Sequence, residues 1–385
     1  MNSHRRIYLD NAATSWPKPE SVYRSVEDYM RNNGSGLGRT TGADATDLSG
    51  VVSRLREAIK QLVGSKKSAV LFTFNGTDSL NMAIHGCLES GDHVITSAAE
   101  HNSVLRPLRF LEDSGKIQVT RIPCDANGRV EPREVLEQVG PRTKLVALTH
   151  CSNVTGVINP VKEIGQNLAD SQTLFLVDAA QSLGTHPIDF DDAQIDLLAS
   201  PGHKGLYGPL GTGILAVSPK AQQILRPVRQ GGTGASSESD VHPISYPEGF
   251  EAGNHNVPGL IGLNAGVEFL AEVGINRIAE HKAQLVHRFL EKVGQCSGIE
   301  LVAEGQGASS GIVSFNLPLP ATELAAILDS SFGIQIRAGY HCASLIHPYI
   351  GTSTGCARIS FGYFNTEQDA DQVADALIEI SKAFA

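Results

Sequence analysis

The sequence lacks the features of a membrane protein or a nucleic-acid-binding protein. No apolar run approaches the roughly 18 residues that a bilayer span needs. The first ten residues reach Asp10 before an apolar region develops, so no signal peptide is indicated. The net charge is −10 and no basic run is present, which argues against nucleic acid or an anionic membrane surface as a partner. We therefore expect a soluble, cytoplasmic protein.

The sequence also lacks paired cysteines. Its six cysteines are scattered and none forms a C-x-x-C motif; they are Cys87, Cys124, Cys151, Cys296, Cys342 and Cys356. Neither a structural zinc site nor a disulfide framework is indicated by such spacing, and we predict no metal site. A cysteine with a chemical role has to be identified from its own surroundings.

The pattern of apolar runs predicts an α/β fold. Short apolar runs alternate with helical patterns, which indicates a mostly parallel sheet of seven strands; the runs lie at 69–73, 93–96, 117–122, 144–149, 173–178, 195–199 and 213–217. Continuous apolar runs are typical of strands buried on both faces. The C-terminal part alternates short strands, one of them at 334–337, with helices, and this pattern predicts a smaller α+β domain.

At 385 residues, the chain has the length of about two domains. We predict that residues 21–258 form the large α/β domain. Residues 259–385 are predicted to form a linking helix and the small α+β domain, which carries the loop around Cys342. Residues 1–20 are predicted to contribute to the small domain.

Lys204 lies in a glycine-rich stretch directly after a predicted buried strand, a setting that suits a lysine that forms a Schiff base. A lone loop lysine is more often simply exposed. Asp178, however, ends the preceding predicted strand, at the rim where open α/β sheets bind ligands. Pyridoxal phosphate chemistry requires an acid that keeps the pyridine nitrogen protonated and a lysine that carries the aldehyde as an imine.

The segment 75–79, which contains Gly76 and Thr77, joins a predicted strand to a predicted helix. Backbone N–H groups at a helix start bind phosphate, although such a turn can also be an ordinary tight turn. Ser200 and His203 flank Lys204 and could donate to the same phosphate. His101 follows another strand; it could stack on a pyridine ring and move protons, or be an exposed loop histidine.

Cys342 lies in a polar turn after a predicted strand. A buried structural cysteine is the commoner alternative. Here His341 is adjacent and Arg337 lies five residues earlier, and nearby cationic groups favour the reactive thiolate. The surroundings therefore make Cys342 the candidate nucleophile among the six cysteines.

Five segments together resemble the class V, fold-type I pyridoxal-phosphate enzymes, and within them the cysteine desulfurases; the segments are 8–14, 99–103, 152–156, 177–182 and 200–204. The resemblance runs in order from residue 7 to residue 365. The segment from Arg337 to Cys342 resembles the Arg-x-Gly-His-His-Cys motif of the SUF-type desulfurases, with Tyr340 in place of the first histidine.

The resemblance implies a role for each matching residue. Lys204 would hold pyridoxal 5′-phosphate as a Schiff base and move protons. The other cofactor-binding residues would be Gly76, Thr77, His101, Asn153, Asp178, Gln181, Ser200, His203 and Thr233. Among these, Asp178 would bind the pyridinium nitrogen and Gln181 the phenolic oxygen. Thr233 would reach the phosphate of a neighbouring subunit, which implies a homodimer.

The resemblance also implies the substrate contacts and the reaction. Arg358, with Asn153 and Arg337, would bind the substrate; its planar guanidinium suits the carboxylate of an amino acid. Catalysis would use Lys204, Cys342 and His101 to convert L-cysteine to L-alanine, with the sulfur held on Cys342 as a persulfide.

Several alternatives stay open at this point. The same cofactor fold would serve a selenocysteine lyase, a cysteine sulfinate desulfinase or another class V aminotransferase. A non-catalytic scaffold that binds a sulfur-transfer partner is a rival of another class. A sulfur-acceptor protein is an expected partner, and the sulfur could serve iron–sulfur cluster assembly, thiolated RNA or cofactors.

Overall fold

A computed structural model of the protein describes residues 6–37, 43–234, 238–303 and 310–384. Its central sheet has seven strands: β2 (Ala69–Thr73), β3 (His93–Ser97), β4 (Gln118–Ile122), β5 (Thr143–Thr149), β6 (Leu174–Asp178), β7 (Leu197–Pro201) and β8 (Gly213–Val217). Their order across the sheet is β2-β8-β7-β6-β5-β3-β4. All pairs are parallel except those of β8, which runs antiparallel to β2 and β7. The predicted mostly parallel seven-stranded sheet is confirmed.

Helices cover this sheet in the manner expected for alternating strands and helices. They are α1 (Glu20–Asn32), α2 (Ala43–Leu62), α3 (Gly76–Cys87), α4 (Asn102–Asp113), α5 (Pro132–Glu137), α6 (Val161–Leu168) and α7 (Pro219–Ile224). Two long helices follow, α8 (Val257–Val273) and α9 (Ile275–Val293). Gly274 separates them with a positive φ of 87°, a conformation that glycine adopts without a Cβ penalty. In the described part of the chain, no helix has the length and apolar character of a membrane span.

A second sheet lies in the C-terminal part of the chain. Four antiparallel strands form it in the order β12-β13-β10-β9; they are β9 (Glu300–Val302), β10 (Ile312–Asn316), β12 (Arg337–Gly339) and β13 (Cys356–Ser360). Helices α10 (Ala321–Phe332) and α11 (Glu367–Phe384) belong to the same part. The antiparallel β9–β10 and β10–β13 pairs and the two helices agree with the predicted α+β pattern.

The N-terminal strand pairs with this C-terminal part. Strand β1 (Ile7–Tyr8) runs parallel to β11 (Ile334–Gln335), and the side chains of Ile7 and Leu9 are buried in the same apolar cluster as Phe289. The domain boundaries at residues 20/21 and 258/259 stay a prediction, which these contacts support.

Two strand predictions were wrong in their bounds. The run 195–199 was predicted as a strand, but β7 begins and ends two residues later and includes Ser200 and Pro201, because both pair with β8. The run 334–337 was predicted as one strand. It contains β11 and the start of β12, which pair in two different sheets.

Candidate active site

Asp178 and Lys204 follow neighbouring strands and influence each other electrostatically. Asp178 is the last residue of β6 and is 4% exposed. Burial raises its pKa, while a hydrogen bond from the Ala180 N–H (2.9 Å) and the charge of Lys204 oppose that shift. Burial lowers the pKa of Lys204 to about 8, and the carboxylate of Asp178 partly counteracts this. The structure thus brings the predicted acid and amine together.

Glycine is required in the loop that carries Lys204. A Cβ atom on Gly205 would lie 2.2 Å from the carbonyl oxygen of Leu183, which is far inside van der Waals contact. The loop closes on itself because the Gly208 N–H donates to the Gly202 carbonyl at 2.8 Å. The close backbone approach fixes where the Lys204 side chain leaves the loop.

Gly76 and Ser200, two of the residues predicted to bind phosphate, lie where the start of α3 packs on the end of β7. Asn75 caps this helix by accepting from the Asp78 N–H at 2.9 Å. A Cβ on Gly76 would lie 3.0 Å from Pro201, so the helix start packs directly on the end of β7. Ser200, next to Pro201, makes only long hydrogen bonds of 3.4 and 3.5 Å to carbonyl groups. Its hydroxyl is therefore available to a ligand.

His203 follows the end of β7 by two residues and directly precedes Lys204. Its Nδ1 is buried and has no hydrogen-bond partner among the described residues. Burial, followed by the charges of Lys204 and Lys18, lowers the pKa of His203 to about 4. A neutral imidazole with an unpaired buried nitrogen is suited to a hydrogen bond with a bound group.

His101 and Thr77 are joined through Ser103. His101 caps α4, and its Nδ1 accepts from the Ser103 N–H at 3.0 Å. The Ser103 hydroxyl lies 2.9 Å from Nδ1 and 2.8 Å from the Thr77 hydroxyl. Burial, with the nearby charges of Lys204 and Arg337, lowers the pKa of His101 to about 4. A neutral ring with Nδ1 as acceptor carries its proton on Nε2.

Arg358 links three segments of the site. The arginine is 1% exposed; it donates to the Asn153 carbonyl and to Asp10 Oδ1, both at 2.7 Å. Burial lowers its pKa, and the Asp10 carboxylate counteracts this. Its Nε is buried without a partner in the described chain. Asn153 in turn donates to the His341 carbonyl at 2.6 Å, so these side chains form one network.

Cys342 lies beside Arg337 at the edge of this network. Arg337 Nη2 lies 3.1 Å from Cys342 Sγ, and the Cys342 carbonyl accepts from the Asn102 N–H at 2.7 Å. Asn102 is the first residue of α4, so the contact docks the Cys342 loop next to His101. His341 and Cys342 both have a positive φ, of 48° and 60°, which marks a tight turn.

Cys342 differs from the cysteines of the core. It is half-buried, whereas Cys87, Cys124, Cys151 and Cys356 are buried. Burial raises the pKa of the first three thiols to about 12 and that of Cys356 to about 11. These four thiols are held in the unreactive protonated form, which leaves Cys342 as the candidate at this site.

Gln181 and Thr233 are the other two residues that were predicted to bind the cofactor. Gln181 donates to the Ala12 carbonyl at 2.8 Å and lines, with Lys204, a small cleft. Thr233 lies between Gly232 and Gly234 in the long loop that precedes α8. Its predicted contact is to a second copy of the chain, which a single chain does not test.

Sequence reasoning missed several residues of the site. Ser103 and Asp10 were both inside the quoted motifs, but neither had been assigned a role. Ser15 and Lys18 also contact the Lys204 loop, and no pattern in the sequence indicated this. Ser103 is a polar residue in the first turn of α4. Residues at such positions often interact with the helix cap, so this position is the one signal that could have indicated its contact with His101.

The side chains present fit pyridoxal phosphate. An acid and an amine influence each other electrostatically, a capped helix start packs on the end of β7, and a buried histidine nitrogen has no partner among the described residues. These are the groups that a pyridine nitrogen, an aldehyde and a phosphate require. Within the described ranges, no group of three or more His, Cys, Asp or Glu side chains is arranged to hold a metal ion.

Comparison with known proteins places the chain among related sequences. Residues 7–373 match the family described as Aminotransferase class-V. A probable cysteine desulfurase of Methanothermobacter thermautotrophicus is 33% identical over 97% of this chain and 94% of its own.

Solved structures agree with the sequence comparison. An apo cysteine desulfurase from Thermococcus onnurineus NA1 has a TM-score of 0.90 at 31% identity and covers 98% of this chain and 95% of its own. A cysteine desulfurase from Escherichia coli has a TM-score of 0.86 at 28% identity, covering 99% and 96%. The fold is therefore that of fold-type I pyridoxal-phosphate enzymes. The chain belongs to the class V aminotransferase family and, within it, to the cysteine desulfurases.

Proposed function

We propose that this protein converts L-cysteine to L-alanine and receives the sulfur as a persulfide on Cys342. The hydrogen bond from the Asn102 N–H to the Cys342 carbonyl (2.7 Å) carries this proposal, because it holds a half-buried thiol beside His101. The charges of Lys204 and Arg337 both act on His101, so thiol, imidazole and amine share one site. The assignment of the chain to the SUF-type subgroup stays a prediction.

The proposal that pyridoxal 5′-phosphate is the cofactor rests on the side chains available to bind it. Pyridoxal 5′-phosphate, when bound, acidifies the Cα–H bond of an amino acid and accepts the resulting electrons. Asp178 would hold its pyridine nitrogen, and Gln181 would contact its phenolic oxygen. Its phosphate would be held by Gly76, Thr77, Ser200 and His203, and Thr233 of a second copy would complete the contact.

Two arginines would receive the substrate carboxylate. Arg337 and Arg358 are directly paired residues of strands β12 and β13. The Arg358 guanidinium is held by Asp10 and by the Asn153 carbonyl, which fixes its plane and leaves Nε unused. A carboxylate is the natural counter-charge for such a pair. Arg337 also reaches Sγ of Cys342, so it lies between the substrate site and the thiol.

Two side chains, Lys204 and His101, would transfer the protons of the reaction. A lysine whose pKa is lowered to about 8 has a substantial neutral fraction near pH 7.5, so Lys204 can accept the substrate Cα proton. His101 carries its proton on Nε2 and accepts at Nδ1, which favours the role of a donor over that of a base.

The sulfur step balances in atoms and electrons. The Cys342 thiolate attacks the substrate sulfur, an S–S bond forms, and the C–S bond breaks with its electron pair left on the substrate. The substrate carbon then takes a proton to become that of alanine. Overall, L-cysteine and one thiol give L-alanine and one persulfide.

The test is to measure alanine and persulfide in the same sample. Wild type given L-cysteine should form both, with the added 32 Da on the peptide that contains Cys342. Cys342→Ser should lose at least about 100-fold in alanine formation, because the nucleophile is gone. Cys296→Ser, the other half-buried cysteine, is the matched control and should retain full activity. Full alanine formation by Cys342→Ser would disprove the persulfide role.

The rival functions give different results in a substrate panel. A selenocysteine lyase would prefer selenocysteine and would tolerate the loss of Cys342. A sulfinate desulfinase would prefer cysteine sulfinate, and an aminotransferase would need an oxo acid. A scaffold would purify without cofactor absorbance. The same proposal includes a homodimer, a cytoplasmic location for this protein, and a sulfur-acceptor protein that serves iron–sulfur cluster assembly or another pathway. Light scattering of the purified protein tests the dimer.

A further inference from the structure

The carbonyl oxygen of His203, which precedes Lys204, is contacted by an unusual number of donors. Lys18 Nζ is the nearest at 2.7 Å. The Ser15 N–H and the Thr14 hydroxyl lie at 3.1 Å, and the Ser15 hydroxyl at 3.2 Å. A carbonyl oxygen has two lone pairs, so four donors within 3.2 Å exceed its usual capacity.

The number of protons on each donor shows which acceptor the Ser15 hydroxyl serves. The Ser15 hydroxyl has one proton, and its shorter bond, at 2.9 Å, goes to the Lys204 carbonyl. As an acceptor, the same hydroxyl receives a proton from Lys18 Nζ at 2.8 Å. Lys18 therefore holds the carbonyl before Lys204 directly. It holds the carbonyl of Lys204 itself through Ser15.

The segment that presents Lys18 is itself well fixed. The Tyr8 hydroxyl lies 3.0 Å from the carbonyls of both Asp10 and Thr14, within donor range of each. Pro17 and Pro19 flank Lys18 and restrict the backbone on both sides. Burial lowers the pKa of Lys18 to about 7, as expected for an ammonium withdrawn from water. The side chain is therefore held in place from a rigid base.

We propose that Lys18 is a positioning residue for Lys204. Its amino group donates to the His203 carbonyl and to Ser15, and so fixes the peptide groups on both sides of the Lys204 Cα while the Lys204 side chain moves during turnover. This inference rests on the proposed function in one respect, namely that Lys204 is the catalytic lysine. The physical gain is that the two hydrogen bonds of Lys18 Nζ restrict a glycine-rich loop that would otherwise be mobile.

The first test uses hydrogen exchange of the cofactor-free protein, so it does not depend on activity. The amides to follow are those of Ser15, Tyr207 and Gly208, which donate to carbonyls of residues 202–204. Lys18→Met should speed their exchange by about tenfold or more, because both hydrogen bonds of Lys18 Nζ are lost. Lys18→Arg keeps a donor and should exchange much as wild type does.

The second test separates positioning from simple destabilisation. Lys18→Met should lower kcat for cysteine by about tenfold with KM changed less than about twofold, because Lys18 does not touch the substrate. Lys18→Arg should recover most of the rate. Lys162→Met, which removes an exposed lysine paired with Asp192, is the matched control and should behave as wild type.

The outcomes are decisive in each case. Wild-type exchange and wild-type kcat in Lys18→Met would overturn the proposal. If Lys18→Met does not fold, Ser15→Ala removes only the link to the Lys204 carbonyl and should give a smaller change in the same amides. No change there would also overturn it. A wild type that lacks cofactor absorbance and desulfurase activity would refute the proposed function, while the exchange result for the loop would stand.

Discussion

Arg337 Nη2 lies 3.1 Å from Sγ of Cys342, in a turn where Cys342 itself has a positive φ. The guanidinium donates a hydrogen bond to the sulfur and so fixes the direction of the Cys342 side chain. The turn cannot easily move the sulfur away, because the Cys342 carbonyl is bonded to the start of α4. The position of the Cys342 backbone and the hydrogen-bond donor to its sulfur are thus supplied by different parts of the chain.

Replacing Arg337 should make Cys342 less reactive. We expect Arg337→Met to slow alkylation of Cys342 by iodoacetamide about tenfold, because a hydrogen bond to a charged group is lost. Peptide mass spectrometry measures the rate, with Cys296 in the same sample as reference. Arg133→Met, which removes an exposed guanidinium paired with Glu137, should leave the rate unchanged. An unaltered rate in Arg337→Met would show that this arginine does not act on the thiol.

The pH dependence of cofactor uptake should report the lowered pKa of Lys204. Only the neutral amine forms an imine, so uptake of pyridoxal phosphate by the cofactor-free protein should rise with pH through about 8 and then level off. A lysine with the ordinary pKa of 10.5 would keep gaining rate up to that value. Stopped-flow absorbance measures the rate, and Lys204→Ala should show no imine band.

The neighbouring acid provides a second check. The Asp178 carboxylate raises the pKa of Lys204, so Asp178→Asn should move the uptake profile to lower pH. The same variant should bind the cofactor less tightly. A profile that moved to higher pH would contradict the placement of this carboxylate beside the amine.

Glu100 should make the stability of the protein pH-dependent. The side chain is fully buried, and burial raises its pKa from 4.5 to about 8. Between these values the unfolded chain releases a proton that the folded chain keeps, so stability is lost as pH rises. Between pH 5 and pH 8, wild type should lose about 3 kcal/mol more unfolding free energy than Glu100→Gln, which cannot ionise.

Urea unfolding of the cofactor-free protein at fixed concentration measures this difference. Glu57→Gln changes an exposed carboxylate and serves as control; it should keep the wild-type pH dependence. If Glu100→Gln and wild type lost stability equally between pH 5 and pH 8, Glu100 would not be the buried group that titrates.

Two glycines should respond very differently to alanine. Gly205→Ala places a Cβ 2.2 Å from the Leu183 carbonyl oxygen, and backbone atoms cannot move aside as a side chain can. We expect a loss of roughly 2 kcal/mol or more, typical of overpacking, and weaker cofactor binding. Gly140→Ala has no atom within 4 Å of the new Cβ and should be neutral. Thermal unfolding compares the two variants, and equal melting temperatures would contradict the close approach at Gly205.

The fold could be predicted because its strands carry a strong local signal. Seven apolar runs matched the seven strands, since strands buried on both faces need apolar residues throughout. The predicted strand bounds were wrong where hydrogen-bond pairing with a neighbouring strand, and not apolar character, determined where the strand begins or ends. Ser200 and Pro201 belong to β7 because they pair with β8, and residues 334–337 split between two sheets because Ile334 pairs with β1.

The residues of the candidate site were predicted because the carboxyl ends of parallel strands meet at one edge of a sheet. Asp178, Lys204 and His101 needed only that rule and the resemblance to be placed together. Asp10 and Lys18 were missed because their contacts join segments that are far apart in the chain. Asp10 meets Arg358 across 348 residues, and Lys18 meets the His203 carbonyl across 185.

The sequence by itself determined the strand-end positions and the family, and it supplied the candidates for the reacting groups. Only the tertiary structure decided how those groups are held and in which state of charge. Burial lowers the pKa of both Lys204 and His101. The start of α4 binds the Cys342 carbonyl, and Ser15 and Lys18 donate to the carbonyls of the Lys204 loop. The reason is physical: desolvation and hydrogen-bond geometry depend on neighbours in space, which no local pattern of residues specifies.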